Sequence, residues 1–169
     1  AECHKGQTRK GTNIPFIMHP LEVKEILYEM GADTNLLIAG LLHDVVEDTN
    51  TTIEEIRAAF GDDVAELVAG HTEDKTKSWE VRKLTEMRET SMAPLRLKML
   101  VLADKLANMR SIRNDYQELG NALWDRFHAG LRQQAWYYGE MTEVLEDMAD
   151  FPKIEPYYWE FVGLYKDVF

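Results

Sequence analysis

The stretch Leu36-Leu37-Ile38-Ala39-Gly40-Leu41-Leu42-His43-Asp44-Val45-Val46-Glu47-Asp48-Thr49 decides how this chain is read. Its first seven residues are apolar or small, as in a helix buried nearly all round. A histidine and three carboxylates then arrive within about one and a half turns. At ~3.6 residues per turn, His43 stands over Glu47 and Asp44 over Asp48. Acids beside a histidine are costly to bury unless a cation or hydrogen bonds compensate them. Chemistry is therefore expected at this point.

Outward from that segment the chain reads as one helix after another. Pro20 suits the first turn of a helix that carries Leu21, Val23, Ile26, Leu27 and Met30 and ends at Gly31. Thr34 or Asn35 is placed to cap a helix over 36–48. Thr51 with Glu54, or Thr52 with Glu55, has the spacing of a capping box before Ile53, and Gly61 comes next as a stop. Asp62 and Asp63 favour the next start, with Val64, Leu67 and Val68 on one face. Pro94 opens a long apolar helix over 95–113, and 124–148 reads as another. Pro152 and Pro156 interrupt the remaining residues and leave an acidic aromatic tail. Apolar and polar residues do not alternate over any strand-like length. The expectation is an all-α fold, a compact multi-helix bundle over 1–150. The extension 151–169 is expected to pack on that unit or on a neighbouring subunit.

Composition narrows the function. With 169 residues, 45% of them hydrophobic, one globular domain can bury a real core. The only cysteine, Cys3, excludes an internal disulfide and a zinc–thiolate cluster, so a reducing cytoplasm is the expected compartment. No apolar run approaches the ~20 residues of a membrane span, and no signal peptide is visible. The formal charge of −11 argues against nucleic acid as partner. Residues 139–169 hold eight acids against Lys153 and Lys166, so the remainder is less acidic and contains basic pairs. The start at Ala1 is read as a trimmed end.

A divalent cation wants imidazole nitrogens and carboxylate oxygens converging from several helices. His43-Asp44 is one such supply. His19, before Pro20, is a second, and Asp104 a third, inside Met99-Leu-Val-Leu-Ala-Asp104-Lys-Leu-Ala-Asn108-Met-Arg110. A single histidine near a helix start is more often structural, whereas a carboxylate interrupting a core helix is costly without a partner. The conjunction in order, His, His-Asp, Asp, each beside apolar helix sequence, favours a metal centre.

These residues resemble the ligands of the HD-domain metal-dependent phosphohydrolases. More narrowly, the chain resembles the hydrolase domain of the RelA/SpoT alarmone family in its stand-alone, small form, like the metazoan SpoT homologues. The resemblance is carried by His4-Lys-Gly-Gln-Thr-Arg9-Lys10, Ile14-Pro-Phe16-Ile-Met-His19-Pro20, Leu41-Leu-His43-Asp44-Val-Val-Glu47-Asp48-Thr49, Phe60-Gly61, Leu102-Ala-Asp104-Lys-Leu-Ala-Asn108, Trp124 and Tyr137-Tyr138. It implies one manganese ion held by His19, His43, Asp44 and Asp104, with Glu47 and Asp48 as the catalytic pair. It also implies hydrolysis of guanosine 3′,5′-bis(diphosphate) or its pentaphosphate relative, with release of the 3′ pyrophosphate. Arg9 and Lys10 would border the nucleotide, and Asn108, four residues after Asp104, would bond its ribose or base. Lys75 and Lys77 are candidates to clamp the 5′-phosphates, and Arg110 is a further candidate. Arg82-Lys83 and Arg113 are other basic residues, although charge runs such as 75–88 are usually solvated faces.

The departures from the family pattern are specific. His71 stands where related sequences read Val-Thr-Asp, and Phe16 stands where they often carry tyrosine. His71 and His128 have no motif support and are expected to be structural or on the surface. The first family helix is cut short, and no synthetase, TGS- or ACT-like region follows, so hydrolysis without synthesis is expected. Other readings are a different phosphohydrolase, such as an NADPH 2′-phosphatase, or an inactive nucleotide sensor. The sensor predicts a broken ligand set, which this sequence does not show. The sequence leaves room for a homodimer.

Overall fold

The computed structural model describes residues 4–9, 11–127 and 129–169; Lys10 and His128 therefore lie outside the described residues, as does Cys3. The architecture is all-α. The helices are α1 (Met18–Glu29), α2 (Thr34–Leu42), α3 (Val45–Asp48), α4 (Ile53–Phe60), α5 (Asp62–His71), α6 (Trp79–Met92), α7 (Leu95–Leu119), α8 (Leu131–Val144) and α9 (Glu155–Val168). Two 3₁₀ segments, Gly120–Arg126 and Glu146–Asp150, flank α8. Before α1 the chain makes a short reversal, closed by an antiparallel bridge between Thr8 and Pro15. None of the described helices is long and apolar enough to cross a membrane.

Helix α7 is the axis of the molecule. Every residue from Lys98 to Ala107 is buried, so neighbours enclose it on all sides. α1, α2, α5 and α9 all pack against it, α9 most extensively. The caps explain the shorter helices. Asp33 accepts from the Leu36 amide at 3.0 Å at the start of α2, one residue before the expected cap. Thr52 and Glu55 form the full capping box of α4, and Gly61 stops it at φ +90°, a conformation that suits glycine. Arg96 then ties three elements together. Its guanidinium grips both oxygens of Asp63 at 2.7 Å and reaches Asp33 at 2.8 Å.

Three expectations change, and one helix is found that the sequence pattern does not announce. The helix expected over 36–48 is broken at His43-Asp44 into α2 and α3. The His43 imidazole Nδ1 meets the Gly40 carbonyl at 2.8 Å, the acceptor that a further turn would have used. The segment 124–148 is not one helix: a 3₁₀ segment precedes Gly130, and α8 stops at Val144. α6 is hidden by its composition, since only Met87 and Thr90 of its fourteen residues are buried. The aromatic tail is helix α9, because Pro156 falls in its first turn, where a missing N–H costs nothing. Tyr158, Phe161 and Val162 are buried along it, and it packs against α7 of the same chain.

Gly40 sets the spacing of α1 and α2. A Cβ placed there would lie 2.6 Å from Leu27 Cδ1, and Leu27 is fully buried with nowhere to go. Gly40→Val gains a few tenths of a kcal/mol in helix preference. It meets an overpacking cost of about 1–3 kcal/mol, and a branched side chain sits at the upper end. The expected result is a net loss of about 2 kcal/mol, read as a fall in Tm of roughly 4–8 °C by calorimetry. An unchanged Tm would show that the α1–α2 contact is looser than described.

Candidate active site

Four side chains meet where α1, the α2–α3 break and α7 converge. His19 comes from the first turn of α1, His43 and Asp44 from the break, and Asp104 from the middle of α7. His19 Nε2 lies 3.2 Å from His43 Nε2, 3.1 Å from Asp104 Oδ1 and 3.6 Å from Asp44 Oδ2. His43 Nε2 lies 3.1 Å from Asp44 Oδ2 and 3.6 Å from Asp104 Oδ1. Ligand atoms about 2.1 Å from one centre and at right angles are roughly 3 Å apart, which is the scale of these separations. The break in the helix is what makes this possible, because it turns His43 and Asp44 together toward α7.

The donor set suits a divalent cation. The Gly40 carbonyl can only accept, so His43 Nδ1 carries a hydrogen and, in the neutral ring, Nε2 keeps its lone pair for a metal. Burial opposes charge on Asp104, yet Lys105 and the imidazoles of His19, His43 and His71 hold its carboxyl well below the usual range. Burial likewise opposes charge on Asp44, but His43 beside it and His19 bring its carboxyl down to about 2. Burial alone would suppress charge on His43, but Asp44 and Asp104 push it well above the ordinary imidazole range. The centre thus holds two ready carboxylates, and a cation would need His43 Nε2 unprotonated. Asn108 Nδ2 donates to Asp104 Oδ1 and Lys105 Nζ to Asp104 Oδ2, both at 2.8 Å, which fixes the carboxylate's orientation.

Glu47 and Asp48 stand one turn further on, at the rim of the same chamber of about 320 Å³. Glu47 Oε1 accepts the Glu73 amide at 2.7 Å, and Oε2 lies 3.6 Å from Lys75 Nζ. Burial, with the Glu73 and Asp44 carboxylates nearby, pushes the Glu47 carboxyl up despite the Glu73 amide. Asp48 is more open, and Lys75 Nζ donates to its Oδ1 at 2.7 Å. Lys75 therefore bridges the acids and the cavity mouth.

A second cavity, of about 680 Å³, shares Arg9, Phe16, Asp48 and Asn108 with the first. Its far side is formed by Ser111, Ile112, Phe127 and Tyr138. Arg9 Nη2 donates to Asn108 Oδ1 at 3.3 Å, so Asn108 links this wall to Asp104. The structure thus brings together His19, His43, Asp44, Asp104, Glu47, Asp48, Arg9, Asn108 and Lys75. It does not bring Arg110 there. Arg110 is held by both oxygens of Glu160 on α9, at 2.7 and 2.8 Å, and serves the contact between α7 and α9. Lys77 lines a smaller adjoining cavity, which shares His71, Glu73, Arg82 and Glu86 with the chamber, and is not in the chamber wall itself.

Sequence reasoning misses the polar layer beneath the chamber. Lys105 is buried and joins Asp104 to Glu86, which also takes Lys83 and the Tyr137 hydroxyl. Burial opposes charge on Glu86, but Lys105 and Lys83 hold its carboxyl far below the usual range. Glu73 is gripped by Arg82 and Lys83. The signal is there at Lys105, a cation beside Asp104 inside an apolar helix, where burial demands a partner.

A family model described as an HD domain matches residues 1–129. The chain belongs to the HD-domain family. Among relatives of this HD domain is the guanosine-3′,5′-bis(diphosphate) 3′-pyrophosphohydrolase MESH1 of Xenopus tropicalis. It is 47% identical over 116 residues, which cover 67% of this chain and 65% of that protein. A GTP pyrophosphokinase of Streptomyces coelicolor is 46% identical over 114 residues, 65% of this chain but 13% of that one. The match thus spans less than two thirds of these curated relatives. Among solved structures, a Listeria monocytogenes EGD-e protein superposes with a TM-score of 0.84 at 40% identity, covering 94% of this chain and 99% of that one. A metazoan ortholog of SpoT, described as hydrolysing ppGpp with a role in starvation responses, superposes with a TM-score of 0.78 at 28% identity. That match covers 96% of this chain and 89% of the ortholog.

Proposed function

We propose that this HD domain is a metal-dependent guanosine-3′,5′-bis(diphosphate) 3′-pyrophosphohydrolase, which releases pyrophosphate and leaves the guanosine 5′-di- or triphosphate. The observation that carries this reading is the junction of two cavities at Asn108. One is lined by His19, Asp44, Glu47 and Asp104, and the other has the size and aromatic walls for a nucleoside. The activities named for the frog enzyme and the metazoan ortholog support the choice of substrate.

His19, His43, Asp44 and Asp104 would hold the ion, expected from the family resemblance to be manganese. When bound, it lowers the pKa of a coordinated water and neutralises charge on the phosphoryl group. The chain's own residues do the rest. Glu47 receives the water's proton at Oε2, the oxygen left free by the Glu73 amide, and its raised pKa makes it a stronger base than an ordinary carboxylate. Asp48, held by Lys75, orients the water from the rim. Arg9 and Asn108 bond the nucleoside, while Phe16 and Tyr138 offer ring faces to its base. Lys75 supplies positive charge for the phosphates on a chain whose net charge is −11. The unit covering 1–150 is proposed to be the hydrolase proper, and a cytoplasmic setting suits its nucleotide substrate.

Purified protein supplied with manganese is to be offered guanosine tetraphosphate, guanosine pentaphosphate and NADPH. Pyrophosphate release from at least one alarmone is expected. Phosphate release from NADPH alone would overturn the proposal in favour of a 2′-phosphatase, and turnover of none would point to a nucleotide sensor.

A further inference from the structure

His71 is the histidine to which no sequence motif gives a role, and the structure places it inside the metal centre. It ends α5 with its side chain 5% exposed. Its ring centroid lies 5.2 Å from that of His43, and its Nε2 lies 3.4 Å from Asp104 Oδ2. Its Nδ1 is buried without a hydrogen-bond partner among the described residues. Nε2 is thus the ring nitrogen turned toward the centre.

Asp104 already has a donor on each oxygen, Asn108 on Oδ1 and Lys105 on Oδ2, and His71 Nε2 is a further neighbour of Oδ2. The ligand atoms of the centre converge on His71 as well. Donor atoms of His43, Asp44 and His71 lie within 4.8 Å of one another, as do those of His19, His43 and Asp104. Opposite ligands of an ion with bonds of about 2.1 Å are roughly 4.2 Å apart, so each set can close on an ion with a small side-chain rotation. The two sets share His43, whose Nδ1 is committed to the Gly40 carbonyl. One free nitrogen cannot serve two ions, so both sets converge on the same one.

We propose that His71 is a fifth protein ligand of the divalent ion, adding a third imidazole to His19, His43, Asp44 and Asp104. This rests on the four-residue centre proposed above. Imidazole suits iron, nickel and zinc, whereas oxygen donors suit manganese and magnesium. A third ring therefore tilts this centre toward borderline ions relative to a two-histidine, two-carboxylate site. A six-coordinate ion held by these five residues would keep one position for the water that hydrolysis requires.

The test is a nitrogen count. Pulsed electron paramagnetic resonance of the manganese-loaded wild-type chain is expected to show three histidine nitrogens. His71→Val is expected to show two, to bind manganese at least ~10-fold more weakly, and to lose more affinity for cobalt than for manganese. Two histidine nitrogens in the wild-type chain would overturn the proposal and leave the four-residue centre standing. Failure of the wild-type chain to bind manganese or cobalt would overturn the centre and His71's role together. The wild-type count decides the matter even if the variant does not fold.

Discussion

Asp104→Ala is expected to empty the metal centre and abolish turnover. Asp104 is the proposed ligand from α7, and its Oδ1 lies 3.1 Å from His19 Nε2 and 3.6 Å from His43 Nε2. Without it, Asp44 is the one carboxylate left among the four proposed ligands. Loss of a group that merely orients a ligand typically costs about 10–100-fold in affinity. Loss of the ligand itself should exceed that, so the purified variant should carry less than about a tenth of an ion per chain by elemental analysis. The same change removes a partner of Lys105, and breaking a buried ion pair costs about 3–5 kcal/mol when the survivor is left alone. Lys105 keeps Glu86 at 2.6 Å, so the variant should fold with a smaller loss of stability, visible as a lowered Tm. A variant that folds and retains a full complement of ion would remove Asp104 from the ligand set.

Glu47→Gln should behave in the opposite way, keeping the ion and losing the chemistry. The substituted amide side chain retains an oxygen for the Glu73 amide, so the local backbone has no reason to move. What it cannot do is take a proton. Removal of a general base costs about 10²–10⁴ in rate, and kcat should fall by that much while metal content stays at the wild-type level. The wild-type profile carries a second signature. Glu47 must be ionised to act, and burial with its neighbouring acids raises its pKa. Activity should therefore decline as pH falls through a value above the ordinary carboxylate range, and the remaining activity of Glu47→Gln should lack that limb. Loss of the ion in Glu47→Gln would mean that Glu47 is itself a ligand, and unchanged turnover would hand the proton to another group.

The parts of the fold legible in the sequence are those in which a helix buries a stripe or its whole surface. The segment around Leu36, the run from Met99 to Ala107 and the Thr52–Glu55 box all announce themselves. α6 does not, because a helix that buries little has no apolar period to read. Its value lies in charge: Arg82, Lys83 and Glu86 meet Glu73 and Lys105 across 9 to 19 positions of sequence, a relation no local pattern encodes. Pro156 reads locally as a breaker, whereas its place in the first turn makes it a starter. The candidate ligands are legible because histidine and aspartate are out of place in apolar helices. Arg110 misleads for a related reason: lying two residues beyond Asn108, it turns away from the Asp104 face and toward α9. His71 escapes sequence reading because one residue at the end of a helix gives no hint of what the fold brings opposite it.

Gly40 gives the molecule an unexpected economy. Its missing side chain lets α1 close on α2, and its carbonyl decides which nitrogen of His43 holds the hydrogen. Core tightness and metal chemistry therefore share a single address. Drift that loosens this helix crossing would also free the imidazole to turn or change tautomer, so the centre would lose its grip before the core fell apart. In such a chain the loss of activity on warming is a local event at one helix end, running ahead of the collapse of the whole.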